Sequence, residues 1–129
     1  MTTRRLALPA AALLAALVAS TAAARPAANP TLIGKVGLHD AYRITLTFTS
    51  GRPVKTLPAG TYTLIAHDYS KIHNFALGSQ TQNKRLLTTG IPWIGTRTYR
   101  LALTPGRYAF ACSAHFQTMN GTFVVTAKT

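Results

Sequence analysis

Alternation of apolar and polar residues with a period of two constrains this chain more than any other feature. In YRITLTF, Tyr42, Ile44, Leu46 and Phe48 alternate with Arg43, Thr45 and Thr47. Successive side chains of a strand point to opposite faces, so such a run is a strand with one buried side. The pattern recurs along the chain. GTYTLIAHD places Tyr62, Leu64 and Ala66 on one face, and IHNFAL reads as a strand with His73, Phe75 and Leu77 together. TYRLAL does the same with Tyr99, Leu101 and Leu103, RYAFAC with Tyr108, Phe110 and Cys112, and GTFVVTA with Phe123 and Val125. SGRP at 50–53, PAG at 58–60 and Pro105-Gly106 mark turns between these runs. GSQTQNKRLLTTGIPWIG, from Gly78 to Gly95, is polar and irregular and reads as a long loop with room for a short helical turn. Short strands divided by turns, with no helical pattern between them, predict an all-β chain: an antiparallel Greek-key β-sandwich or barrel. No repeat or second domain is visible.

The first residues follow different rules. MTTRRLALPAAALLAALVASTAAARPAANP has two arginines, an apolar run and then small residues, the layout of a secretory signal peptide. The run from Leu6 to Ala19 is short for a membrane span and contains Pro9. Ala22-Ala23-Ala24 fits a small-x-small cleavage site, so residues 1–24 are expected to be removed. Arg4-Arg5 lacks the bulky residue a twin-arginine signal would place at Ala7, which favours Sec export. Residues 25–30 read as a flexible tail, and 31–129 as a single domain.

Charge narrows the partners. Fourteen lysines and arginines face two acids, Asp40 and Asp68, for a formal net charge of +12. Arg4 and Arg5 account for only two of those charges. A surface this basic attracts anions: an acidic patch on another protein or an anionic membrane surface. The basic residues are scattered and form no run that would track a phosphate backbone, and export argues against nucleic acid as a partner. A monomer is expected at this size.

One cysteine in an exported chain cannot close an internal disulfide. Cys112 is therefore an inert buried thiol, an intermolecular partner, a nucleophile or a metal ligand. Parity adds a constraint. Cys112 and His73 both lie on inward faces, far apart in sequence, and two polar groups in an apolar interior need partners. A shared ion would satisfy both. His115 and Met119 lie just past Cys112 in CSAHFQTM, and Asn120-Gly121 reads as the turn back into the last strand. The candidate ligand set is His73, Cys112, His115 and Met119. Soft sulfur with imidazole suits copper, and two histidines with one cysteine and a weak axial methionine describe a blue-copper site. A lone Cys-x-x-His is a weak signal, since a single buried cysteine is usually a small hydrophobe. The conjunction of order, parity, export and fold carries the weight. His67 falls on the opposite face from Tyr62 and Leu64 and reads as a surface residue, and His39 as an extra one. Asp68 and Ser70 are expected to shape the turn before His73, and Trp93 to pack its loop.

With those residues in view, the chain resembles the cupredoxins, small blue-copper proteins of the plastocyanin, azurin and amicyanin kind. RYAFACSAHFQTMNGTFVV resembles the end of that family: turn, aromatic strand, ligand loop, glycine, last strand. LPAGTYTLIAHDYSKIHNF resembles the region before its first ligand, a histidine followed by asparagine. The resemblance covers residues 31–127. It implies one copper per chain, cycling between Cu(I) and Cu(II) on His73, Cys112, His115 and Met119. It also implies that Asn74 ties the two ligand segments together, and that Phe116 belongs to an apolar ring where a redox partner docks.

The function expected is an exported carrier of single electrons between redox partners. The alternative is a periplasmic or extracellular copper-binding protein for storage, delivery or resistance. An enzyme is not expected. Cys112 and His115 share one loop without an orienting carboxamide or carboxylate, and two isolated aspartates make no general acid–base pair. Four histidines are too few for a multicopper oxidase or nitrite reductase. A metal-free interaction domain would leave the ligand set without purpose.

Overall fold

The computed structural model describes residues 18–23 and 27–129. The expected cut after Ala24 lies outside them. Nine strands follow in order: β1 (Leu32–Val36), β2 (Ile44–Phe48), β3 (Thr56–Pro58), β4 (Gly60–Asp68), β5 (Ala76–Ser79), β6 (Lys84–Thr88), β7 (Gly95–Leu103), β8 (Gly106–Ala111) and β9 (Asn120–Thr126). They form two sheets, in orders β2-β1-β4-β7 and β3-β9-β8-β5-β6. Most neighbours are antiparallel, but β1 runs parallel to β4 and β3 parallel to β9. Each sheet is thus mixed, a refinement of the antiparallel sandwich.

The alternating residues build the core between the sheets. Leu46, Tyr62, Leu64, Ala66, Leu101 and Leu103 are buried from one sheet, and Leu77, Tyr108, Phe110, Phe123 and Val125 from the other. Each large apolar side chain so buried contributes about 1.5–3 kcal/mol. Tyr62 and Tyr108 keep their hydroxyls satisfied by donating to the carbonyls of Pro58 and Thr104, at 2.7 and 2.8 Å.

Three readings change. The segment 78–95 is not one loop. Lys84–Thr88 forms β6, paired with β5 across a register shift at Leu77/Gly78. An edge strand buries little, and of KRLLT only Leu87 is buried, so the alternation that marks a strand is missing. Next, β5 begins at Ala76, not Ile72. His73, Phe75 and Leu77 are all buried, yet residues 72–75 lie outside the ladder because here the chain crosses from one sheet to the other. Finally, Asn120-Gly121 is no turn. Both residues are in β9, opposite Ala111 and Phe110. Glycine is needed there because a Cβ on Gly121 would run into the Phe110 ring.

Three connections meet at one end of the sandwich. They join β1 to β2 (37–43), β4 to β5 (69–75) and β8 to β9 (112–119). The pairings Val36↔Asp68, Ala76↔Ala111 and Ala111↔Asn120 fix them side by side.

Candidate metal centre

The β8–β9 connection is a closed loop held by its own backbone. The Cys112 amide donates to the Met119 carbonyl at 3.0 Å, and the Met119 amide to the His115 carbonyl at 2.8 Å. The His115 amide donates to the Cys112 carbonyl, and the Asn120 side chain caps the Phe116 carbonyl at 2.7 Å. These bonds turn Cys112, His115 and Met119 toward the sandwich. Cys112 and Met119 are buried, and His115 is half-buried.

His73 arrives from the other side, fully buried. Its Nδ1 lies 3.1 Å from Nδ1 of His115 and 3.7 Å from Sγ of Cys112. The remaining edge, Cys112 Sγ to His115 Nδ1, is 3.5 Å. Donor atoms of the three residues converge within 4.8 Å. The far nitrogen of His73, Nε2, faces the Asp40 carbonyl at 3.4 Å. A proton on that nitrogen leaves Nδ1 with its lone pair aimed at the other two donors. Three donors with those edges surround a point about 2 Å from each, the length of a metal–imidazole bond.

Asn74 links the segments that carry His73 and Cys112. Its Oδ1 accepts from the Ser113 amide at 2.8 Å and from the Ser113 hydroxyl at 3.0 Å, and its Nδ2 donates to Thr88 Oγ1 at 2.8 Å. Phe116 is 62 % exposed beside His115. His67 stands apart from the cluster, with Nδ1 3.0 Å from Thr96 Oγ1 and its ring stacked on Tyr69. His39 is exposed on the β1–β2 connection and is also not part of it. The Trp93 ring sits under the Arg97 guanidinium at 4.3 Å.

Sequence reading missed two contributors. Alternation places Tyr42 on the inner face of a strand, but β2 starts two residues later and Tyr42 belongs to the loop. Its exposed ring stands edge-on to both His73 and His115, at centroid distances of 4.8 and 4.7 Å. Asp40, on the same loop, gives its carbonyl to His73 and its carboxylate to Ser70 Oγ at 2.7 Å. No local pattern could have pointed to either, because both act through a loop of the opposite sheet. Asp68 is 1 % exposed. Burial pushes its carboxyl above the ordinary carboxylate value, against the lowering effects of the Thr89 and Ser70 hydrogen bonds and of nearby His73.

No protein-family model and no curated protein matches this chain. Solved structures do. Rusticyanin from Thiobacillus ferrooxidans is 14 % identical, with 74 % of this chain and 76 % of that one covered and a TM-score of 0.57. Reduced rusticyanin is 15 % identical over 78 % and 82 %, with a TM-score of 0.57. Auracyanin A, a "blue" copper protein from Chloroflexus aurantiacus, is 17 % identical over 74 % and 98 %, with a TM-score of 0.50. At these identities the likeness shows the fold: this chain has the β-sandwich of the cupredoxins.

Proposed function

We propose that this chain is an exported type 1 copper protein that carries single electrons between redox partners. The observation that carries the reading is the convergence of Cys112 Sγ with the Nδ1 atoms of His73 and His115, from two segments 39 residues apart in sequence. Thiolate with two imidazoles is a donor set that suits copper. Copper supplies the one-electron couple: sulfur donors favour Cu(I) and imidazoles favour Cu(II).

The chain's own residues do the rest. Met119, buried at the end of the same loop, would supply a thioether as a weak fourth donor. Asn74 holds the Cys112 segment to the His73 segment through Ser113, which restrains the thiolate and keeps rearrangement between oxidation states small. His115 is the donor nearest solvent, so an electron enters or leaves through its ring edge. Phe116 and Tyr42 surround that edge with exposed apolar surface, where a partner docks closely. The basic surface draws a partner that presents an acidic patch. Residues 31–129 form the working domain, and the leader delivers it to the periplasm or the cell exterior. This is a carrier, not an enzyme.

Copper(II) titration of the mature chain, followed by visible absorption and EPR, tests this. The expected result is an intense visible band and narrow parallel hyperfine splitting, saturating at one copper per chain. Colourless binding would leave copper handling as the better account, and no binding would overturn the site.

A further inference from the structure

This chain has two carboxylates, and both converge on one segment. Asp40 and Asp68 are its only acids. Asp40 lies on the β1–β2 connection and Asp68 is the last residue of β4, and they meet at Ser70, which is fully buried. The Ser70 hydroxyl donates to Asp40 Oδ1 at 2.7 Å, and the Ser70 amide donates to Asp68 Oδ1 at 3.2 Å. The same hydroxyl accepts from the Ile72 amide at 3.3 Å. The other oxygen of Asp68 accepts from the Thr89 hydroxyl at 2.6 Å, and that hydroxyl oxygen accepts from the Phe75 amide at 2.9 Å. The bonds thus run unbroken from Asp40 through Ser70 and Asp68 to Thr89, and they grip the backbone at Ile72 and Phe75. His73 and Asn74 lie between those two grips.

The segment needs such support. It has left β4 and has not yet joined β5, so no sheet ladder fixes it. A buried backbone without a ladder must find other partners, and this chain supplies them from side chains. The Asp40 end is itself held in an unusual shape. His39 and Asp40 both adopt left-handed backbone angles, with φ of 56° and 57°. Few non-glycine residues take that conformation, though Asp and His do so more readily than most. Gly37, also left-handed, lies against the segment, where a Cβ would stand 2.6 Å from Ser70 Cβ and 3.0 Å from His73 Cδ2. In this shape the Asp40 carbonyl faces His73 Nε2.

We propose that Asp40, Ser70, Asp68 and Thr89 act as one positioning network. Its task is to fix the direction of the His73 imidazole before a metal arrives, and so to set how tightly the centre holds that metal and at what potential it works. The network touches His73 through the Asp40 carbonyl and through the clamped backbone. The inference rests on the copper reading above, but its first test does not need copper.

Thr89→Val removes the bridging hydroxyl at nearly constant volume, and Thr89→Ser restores it. Ser70→Ala removes the hub, and Asp68→Asn changes the central acceptor. In the metal-free mature chain, the amides of Ile72 and Phe75 should exchange with deuterium at least tenfold faster in Thr89→Val and Ser70→Ala, while amides of β8 and β9 stay protected. In the copper-loaded chain, the same variants should lose copper to a competing chelator about 10–100-fold more readily, the range typical of residues that orient a metal ligand. Their reduction potentials should shift, and Thr89→Ser should return both readouts to wild-type values. Unchanged exchange, copper retention and potential in folded Thr89→Val would overturn the proposal. So would a variant that only loses global stability while its copper retention and potential stay put. Should Asp68→Asn fail to fold, the threonine pair still decides. A wild-type chain that forms no blue centre would sink the copper reading alone, because the exchange comparison in the metal-free chain stands independently.

Discussion

Cys112 lies fully buried with two imidazole nitrogens within 3.7 Å of its sulfur. A thiolate bound to copper gives the visible band its intensity, so Cys112→Ser should bleach the centre completely. A variant that stays blue would remove Cys112 from the ligand set. Met119→Gln exchanges a thioether for a harder oxygen donor, which favours Cu(II). The copper should remain and the reduction potential, measured by voltammetry, should fall. An unchanged potential would make Met119 a packing residue. Asp68 contributes a pH dependence of its own. Burial raises its carboxyl above the ordinary value, so between those two values the folded chain keeps a proton that the unfolded chain has lost. Stability of the metal-free chain should therefore decline as pH rises across that window and level off above it. Urea midpoints measured across the acid range check this, and Asp68→Asn should flatten the slope.

At the scale of elements, the loop from Cys112 to Met119 depends on how β8 and β9 meet. Gly121 faces the Phe110 ring with no room for a Cβ, and overpacking at such a contact costs about 1–3 kcal/mol. Gly121→Ala should lower the unfolding free energy by that amount and broaden the EPR spectrum as the loop shifts. Wild-type stability would show that Phe110 simply moves aside. The same contact explains why Asn120-Gly121 misleads as a turn signal. The pair signals a hairpin when read locally, but here the glycine serves a neighbour across the sheet. The β6 strand was hidden for a related reason. Its sequence begins with two charges because an edge strand beside solvent can carry them, and only its pairing with β5 identifies it. By contrast, the runs in β4, β7, β8 and β9 were legible because each buries alternate residues.

At the scale of the whole molecule, fourteen basic residues face two acids. Asp68 is buried and the Asp40 carboxylate is engaged by Ser70. The domain therefore carries a large excess of positive charge. Electron exchange with a partner that presents carboxylates should be fast at low salt and should slow severalfold as ionic strength approaches 0.15 M, where the screening length is about 8 Å. Stopped-flow rates at several salt concentrations check this. A rate independent of salt would mean that docking relies on the apolar rim at Phe116 and Tyr42 alone.

By itself, the sequence determined which side chains face inward along the regular strands. Side-chain direction alternates residue by residue along a strand, so the buried faces of β4, β7, β8 and β9, and the inward aim of Cys112, follow from local order. Only the tertiary structure decided which of those inward groups meet. The contact of His73 with Cys112, the parallel pairing of β1 with β4, the reach of Tyr42 to both imidazoles and the meeting of Asp40 with Asp68 all depend on three connections packed at one end of two sheets. No local rule encodes such distances, because they arise from the register between strands far apart in the chain.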